Sequence, residues 1–430
     1  MCAARPSRAH MSRKVRKKSG RGRDGSLGSI SQYRAPLGSQ ADRYHRTSFP
    51  LVMDLSSEDE MQDPDIMMDT SEPLENLPFQ LLPELCKIKI FTFLQQNDLG
   101  RCMLVCVEWC QLIRNPQLWS SVRFSSLSYS CLPQDRHGPV HTDPICHHCF
   151  RKRVFSFSQF LHRLEPVVKE FQFCLDLSHP TDQFNAVVEQ FLYTANLSSL
   201  TQAEMNWKES PSRASLDQEP FQDHMYRYRR RQRMFSRIFD TFVNLCPQIS
   251  TLVIPFDWTD KNIKNLCLLT GLEKLVLEKY GIYNHIFTQD HLTKLMDSLV
   301  NLKKLLLEVW IPSTNNRGVD VYCIRSSSLT FLDVSQCRGF YIKKLITPNL
   351  LNLRIACRPM LKILLQTHSP FLPCVCTVLL EGAPRLQEIN GFHLERNSLL
   401  YPNDDLGTLM NTICCCPRHN MISGIEMYGM

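Results

Sequence analysis

The chain of 430 residues contains no apolar run approaching the ~18 residues that a membrane-spanning helix requires. Its N-terminus is charged and lacks an apolar core of the secretory-signal kind, so no secretory signal peptide is expected. Glycine is scarce, at 16 residues, and no glycine-rich phosphate loop is present, which weighs against a nucleotide-binding α/β fold. The H-E-x-x-H, G-x-S-x-G and Walker patterns are all missing, so the common hydrolase and phosphotransferase sites have no sequence support. Cysteine is plentiful, at 19 residues, but a disulfide scaffold is normally short and secreted. In a long chain without a signal, reduced thiols serving as small apolar core residues are the expectation.

What the chain does have is segregated charge. Residues 1–50 carry 12 Lys/Arg against Asp24 and Asp42. They show little apolar periodicity, so they read as a disordered basic arm that cannot bury enough surface to offset ordering entropy. Arg13-Lys14-Val15-Arg16-Lys17-Lys18 is a compact basic block of the kind used for nuclear import or nucleic-acid contact. Residues 51–75 hold nine Asp/Glu and no Lys/Arg, an acidic linker. The overall net charge of +7 is therefore not one basic surface.

From residue 76 the pattern turns helical. Leu82-Pro83 precedes apolar positions 85, 88 and 91–94, and Pro83 suits a first helical turn. Asn97 or Asp98 offers a cap before Leu99, and a second helix is expected through Cys102, Val105, Cys106, Trp109 and Leu112. Asn115-Pro116 marks a break, after which Leu118, Trp119 and Val122 continue the apolar face. In order, Leu82-Pro83, Ile90-Phe91-Thr92-Phe93-Leu94, Asp98-Leu99, Val105-Cys106-Val107-Glu108-Trp109 and Leu118-Trp119 resemble an F-box, with expected bounds 76–124. Leu77-Pro78 offers a second possible start. The resemblance implies three helices that dock on the Skp adaptor of a cullin–RING ubiquitin ligase. By family analogy the adaptor contacts come from Leu82, Pro83, Ile90, Phe91, Leu94, Val105, Trp109, Leu118 and Trp119, the two tryptophans mixing core and interface roles.

Residues 161–430 repeat the motif L-x-x-L-x-L, the strand core of a leucine-rich repeat. The best matches begin at Leu272, Leu302, Leu329 and Leu350, with spacings of 30, 27 and 21 residues, and Ile249 precedes them. Weaker candidates begin at Val168, Leu197, Leu386 and Ile422. Each unit should place a short strand on the concave side and a helix behind it, as at 235–243 and 291–299. The expected fold is therefore α/β: a small three-helix F-box, then an irregular solenoid resembling the leucine-rich repeats found behind such boxes.

Two further clusters invite a site. An insertion near 208–234 carries Tyr226 with Arg227, Arg229, Arg230, Arg231 and Arg233, a set suited to carboxylate or phosphate; a solvated loop is the plainer reading. The linker 125–160 holds Cys131, His137, Cys146 and Cys149, of which Cys146-x-x-Cys149 is a zinc half-site without a second partner pair, so no metal or other cofactor is expected. Taken together, the expectation is a non-catalytic substrate receptor, cytoplasmic or nuclear, with the Skp adaptor, a cullin scaffold and an unidentified protein target as partners. The rival is a scaffold or nucleic-acid-associated protein using the basic arm and the Arg-rich insertion.

Overall fold

In a computed structural model, the described residues are 79–130, 146–178, 182–206, 221–279, 287–311, 321–357, 373–395, 399–400 and 402–414. The basic arm, the acidic linker, Cys131, His137, the first part of the insertion and the strand candidate at Ile422 lie outside them.

Three short helices come first: α1 (Glu84–Phe91), α2 (Gln96–Cys102) and α3 (Val107–Ile113). Pro83 is the extended residue before α1, where its missing N–H costs nothing. The helix expected through Cys102–Leu112 is instead two helices, because Cys106 adopts an extended backbone and its thiol accepts the Trp109 N–H as a cap of α3. α2 also begins earlier than Asn97/Asp98 suggested, after Gln95, which leaves Asp98 inside the first turn. Its carboxylate is favourable there against the helix dipole. Asn115 caps the single turn Pro116–Trp119 that follows.

The chain then enters a ten-stranded sheet. Its strands are β1 (Ser121–Arg123), β2 (Glu170–Cys174), β3 (Gln202–Asn206), β4 (Thr251–Phe256), β5 (Lys274–Lys279), β6 (Lys304–Leu307), β8 (Phe331–Val334), β10 (Asn352–Ile355), β11 (Glu388–Ile389) and β12 (Phe392–His393), in that spatial order. All neighbours pair in parallel except β11 and β12. One register row runs Val122, Phe171, Ala203, Leu252, Leu275, Leu305, Leu332, Leu353, Ile389 across nine strands, and every member is buried. Burying each leucine contributes about 1.5–3 kcal/mol.

The turns repeat as faithfully as the ladder. Entering each strand of this sheet from β2 to β11, two successive N–H groups share one carbonyl of the preceding unit: Thr201 and Gln202 on Lys169, Ser250 and Thr251 on Thr201, Glu273 and Lys274 on Ser250, Lys303 and Lys304 on Glu273. Just upstream, the apolar residue that opens the unit donates its N–H three residues back, as Leu272 does to Leu269 and Leu302 to Leu299. One sequence motif thus produces one backbone geometry many times over.

Behind the sheet lies a second layer, packed in chain order: α4 (His147–Leu164), α5 (Phe184–Thr194), α6 (Phe221–Leu245), α7 (Asp260–Cys267) and α8 (Gln289–Ser298). The layer continues through β7 (Val321–Arg325), β9 (Tyr341–Ile346), α9 (Val375–Gly382) and α10 (Asp404–Ile413). The expectation that every return segment is helical fails at β7 and β9, which pair in parallel as a separate two-stranded sheet. Tyr322 and Ile324 alternate with exposed Cys323 and Arg325, a period-two pattern that no helix face accepts. α6 is longer than the expected 235–243: Tyr228, Arg231, Phe235, Ile238 and Phe242 form one buried stripe, and the charge at Arg231 breaks its apolar signature. Gly382 of α9 sits under the backbone carbonyl of Leu345, and its own carbonyl accepts the Thr347 N–H. A methyl there has no room, so Gly382→Ala is expected to cost ~2 kcal/mol of stability, read by chemical denaturation.

Candidate protein-interaction surfaces

The three-helix segment has two apolar populations. The inner one contains Ile88, Phe91, Leu112, Ile113, Leu118 and Trp119, all buried. Phe91 stands edge-on to Phe79 and Trp109, at ring separations of 5.9 and 5.3 Å. Trp119 donates its indole N–H to the Ile113 carbonyl at 2.8 Å and packs on Phe160 of α4. Lys87, itself buried, is held by Glu108 at 2.5 Å and by the Gln80 carbonyl, which ties α1 to α3 and to the turn before α1. The outer population is Leu81, Leu85, Ile90, Phe93, Leu104, Val105 and Val107, each exposed, with Leu85, Phe93 and Val107 more than 70% so. Seven of the seventeen large exposed apolar side chains of the described residues thus fall between positions 81 and 107. Such a density on packed helices marks a surface built to be covered.

Residues 79–125 match the F-box-like family model. The F-box-like domain therefore starts at the turn containing Phe79 and ends beyond β1, the first strand of the large sheet. Helices and sheet are clasped at that strand: the Gln96 side chain donates to the Arg123 carbonyl at 3.0 Å and accepts the Arg123 N–H at 2.9 Å. Arg123 in turn reaches Glu170 of β2 at 3.0 Å, and Ser121 donates to the same oxygen at 2.9 Å.

The Arg123 hydrogen bond holds the Glu170 carboxyl below its ordinary value of 4.5, against an opposing push from partial burial. A lowered folded value means that the ionised pair stabilises the fold above the unfolded value and that this contribution disappears as pH falls through the folded one. Glu170→Gln should therefore be less stable than the wild type at neutral pH and indistinguishable from it in strong acid. Parallel acid-denaturation curves over that range would refute this pair as a joint between β1 and β2.

Of the nine adaptor-contact expectations, Pro83, Ile90 and Val105 are exposed, Leu82, Leu94 and Trp109 are half-buried, and Phe91, Leu118 and Trp119 belong to the interior. Sequence reading missed Leu81, Leu85, Phe93, Leu104 and Val107. The signal was present in α1: besides the buried Ile88 and Phe91 the helix carries Leu85 and Ile90, both exposed, so it is apolar beyond the stripe that its core needs.

The arginine cluster divides similarly. Arg231 is buried against Asp176 at 3.6 Å, and Arg227 is half-buried, whereas Arg229 and Arg233 are exposed and Arg230 is half-buried along the outer side of α6. Cys146 and Cys149 are buried at the start of α4, beside Tyr129 stacked on Phe150 at 3.8 Å. His147 lies 2.8 Å from the buried carboxylate of Asp182. Among the described residues no group of three or more His, Cys, Asp or Glu is gathered as a metal site requires.

The side of the sheet opposite the leucine ladder is a third surface. On β4–β6 its residues form three parallel rows: Thr251, Lys274, Lys304; then Val253, Val276, Leu306; then Pro255, itself buried, Glu278 and, one residue past β6, Glu308, whose N–H donates to the Leu277 carbonyl. The middle row is half-buried and apolar. Glu204 of β3 and Asp333 of β8 close its two ends.

Proposed function

We propose that this chain is a substrate receptor of a Skp–cullin–F-box ubiquitin ligase. The F-box-like domain carries the adaptor contact, through Leu81, Leu85, Ile90, Phe93, Leu104, Val105 and Val107 with Leu82, Pro83, Leu94 and Trp109 at their margin. The sheet of repeats that follows reads as an irregular leucine-rich-repeat solenoid, and its open face holds a target protein. In this reading the chain catalyses nothing. It tethers target lysines near a conjugating enzyme carried by the cullin, which raises their effective concentration.

The observation that carries the proposal is the outer apolar population within residues 79–125, on a domain clasped to the sheet through Gln96 and Arg123. A rigid joint matters, because effective concentration falls when a connector lets the two ends wander. Purification of the full chain from cells under proteasome inhibition should recover the Skp adaptor and a cullin in stoichiometric amounts. Recovery of neither would overturn the reading. Gln96→Ala tests the joint separately: adaptor capture is expected to persist while target ubiquitination falls.

A further inference from the structure

We infer that the open face of β4–β6 is a seat for one amphipathic α-helix of the target protein, lying across the strands. This rests on the substrate-receptor reading and names the target's binding element. The argument is one of spacing and charge. Neighbouring strands lie about 4.8 Å apart, so Val253, Val276 and Leu306 span about 9.6 Å. A helix rises about 1.5 Å per residue, so side chains at i, i+3 or i+4, and i+7 span about 10.5 Å and match that row. An extended peptide repeats a face every ~6.7 Å and drops out of step after one contact.

The flanking rows set the rest of the chemistry. They lie two residues up and down the strands, about 6.7 Å from the apolar row, just outside the roughly 5–6 Å half-width of a helix with its side chains and so within reach of charges on its edges. One flank is basic, Lys274 and Lys304. The other is acidic, Glu278 and Glu308, each oriented by accepting a hydrogen bond, from the Asn206 side-chain amide at 3.3 Å and from the Lys279 N–H at 3.4 Å. The occupant therefore has acidic residues along one edge of its apolar stripe and basic residues along the other. Glu204 and Asp333 end the apolar row, so about three helical turns fit between them.

Turning such a helix end for end exchanges its flanks, so the charge pattern fixes the direction in which it lies. The helices that fail are those with like charge on both edges. Three stapled helical peptides of about three turns provide the probe: one with Glu on one edge and Lys on the other, one with Glu on both, one with Lys on both. The full-length chain is expected to bind the mixed peptide about tenfold more tightly than either of the others. In Lys274→Glu/Lys304→Glu the preference should pass to the all-lysine peptide, and Leu306→Asp should bind none, with unchanged circular dichroism in both variants.

Equal affinity for all three peptides, no binding of the mixed one, or equal binding of a proline-broken form would overturn the inference. So would self-association that Leu306→Asp abolishes, which would give the face to a second copy of the chain. Adaptor capture is read on the same samples. Retained capture with no peptide selectivity sinks this inference alone, and selectivity without capture sinks the receptor reading alone.

Discussion

Leu85→Asp/Val105→Asp is expected to abolish capture of the Skp adaptor while leaving the thermal midpoint of the chain unchanged. Both side chains are mostly exposed, Leu85 at 79% and Val105 at 63%, and neither belongs to the inner population. Surface changes of this kind normally move folding stability by no more than ~0.5 kcal/mol. At an interface the same changes place two carboxylates where a partner's apolar surface closes, and a central anchor is worth ~2–4 kcal/mol. Two such losses weaken binding by roughly a thousandfold or more.

Phe91→Ala is the control with the opposite signature. Phe91 is 1% exposed and sits between Phe79 and Trp109, so truncating it should cost ~3–5 kcal/mol of folding and lose the adaptor only by unfolding the domain. Titration calorimetry against the adaptor, paired with a melting curve for each variant, separates the two. An aspartate pair that leaves affinity intact would remove α1 and the turn before α3 from the interface.

That control also shows why the sequence alone could not separate contacts from core. Ile90-Phe91-Thr92-Phe93-Leu94 is a family pattern, and a pattern records which residue types recur but not which way each one points. α1 and the turn that follows it carry apolar residues on more than one side, so the pattern supports Phe91 and Phe93 equally, and only packing against Phe79 and Trp109 turns Phe91 inward.

In the repeats the balance is different. The motifs at Leu272, Leu302, Leu329 and Leu350 became β5, β6, β8 and β10 with their second leucine in the ladder, because each strand has one buried face that tolerates little else. At β3 the ladder residue is Ala203, too small to announce itself, and at β1 a three-residue strand follows a helical pattern directly, so Val122 looked like more helix. Arg231 hid the first half of α6 in the same way, since its partner Asp176 lies 55 positions away in sequence. The open face was invisible for a further reason. Thr251, Val253, Lys274, Val276, Lys304 and Leu306 occupy the spacer positions of the motif, and their alignment into rows exists only once the register between strands is set.

The register of β6 yields the second large effect. Leu305, Leu306 and Leu307 are consecutive and chemically identical, yet Leu305 and Leu307 are buried at 0% and 2% while Leu306 faces the open side half-buried. Leu305→Ala is expected to cost ~3–4 kcal/mol, since it opens a cavity between Leu275 and Leu332 that flanking strands on both sides hold open. Leu306→Ala should cost about 1 kcal/mol or less, because an open-face side chain leaves no cavity. In a stack of repeats each unit is stabilised mainly by its neighbours, so a central cavity also weakens the coupling between the two sides of the sheet. Denaturation of Leu305→Ala should accordingly broaden, and hydrogen exchange should quicken first in β5, β6 and β8, with β1 and β2 still protected. Equal losses for Leu305→Ala and Leu306→Ala would mean that the strand is buried on both faces. The ladder would survive that result, but the open face of β4–β6 would not.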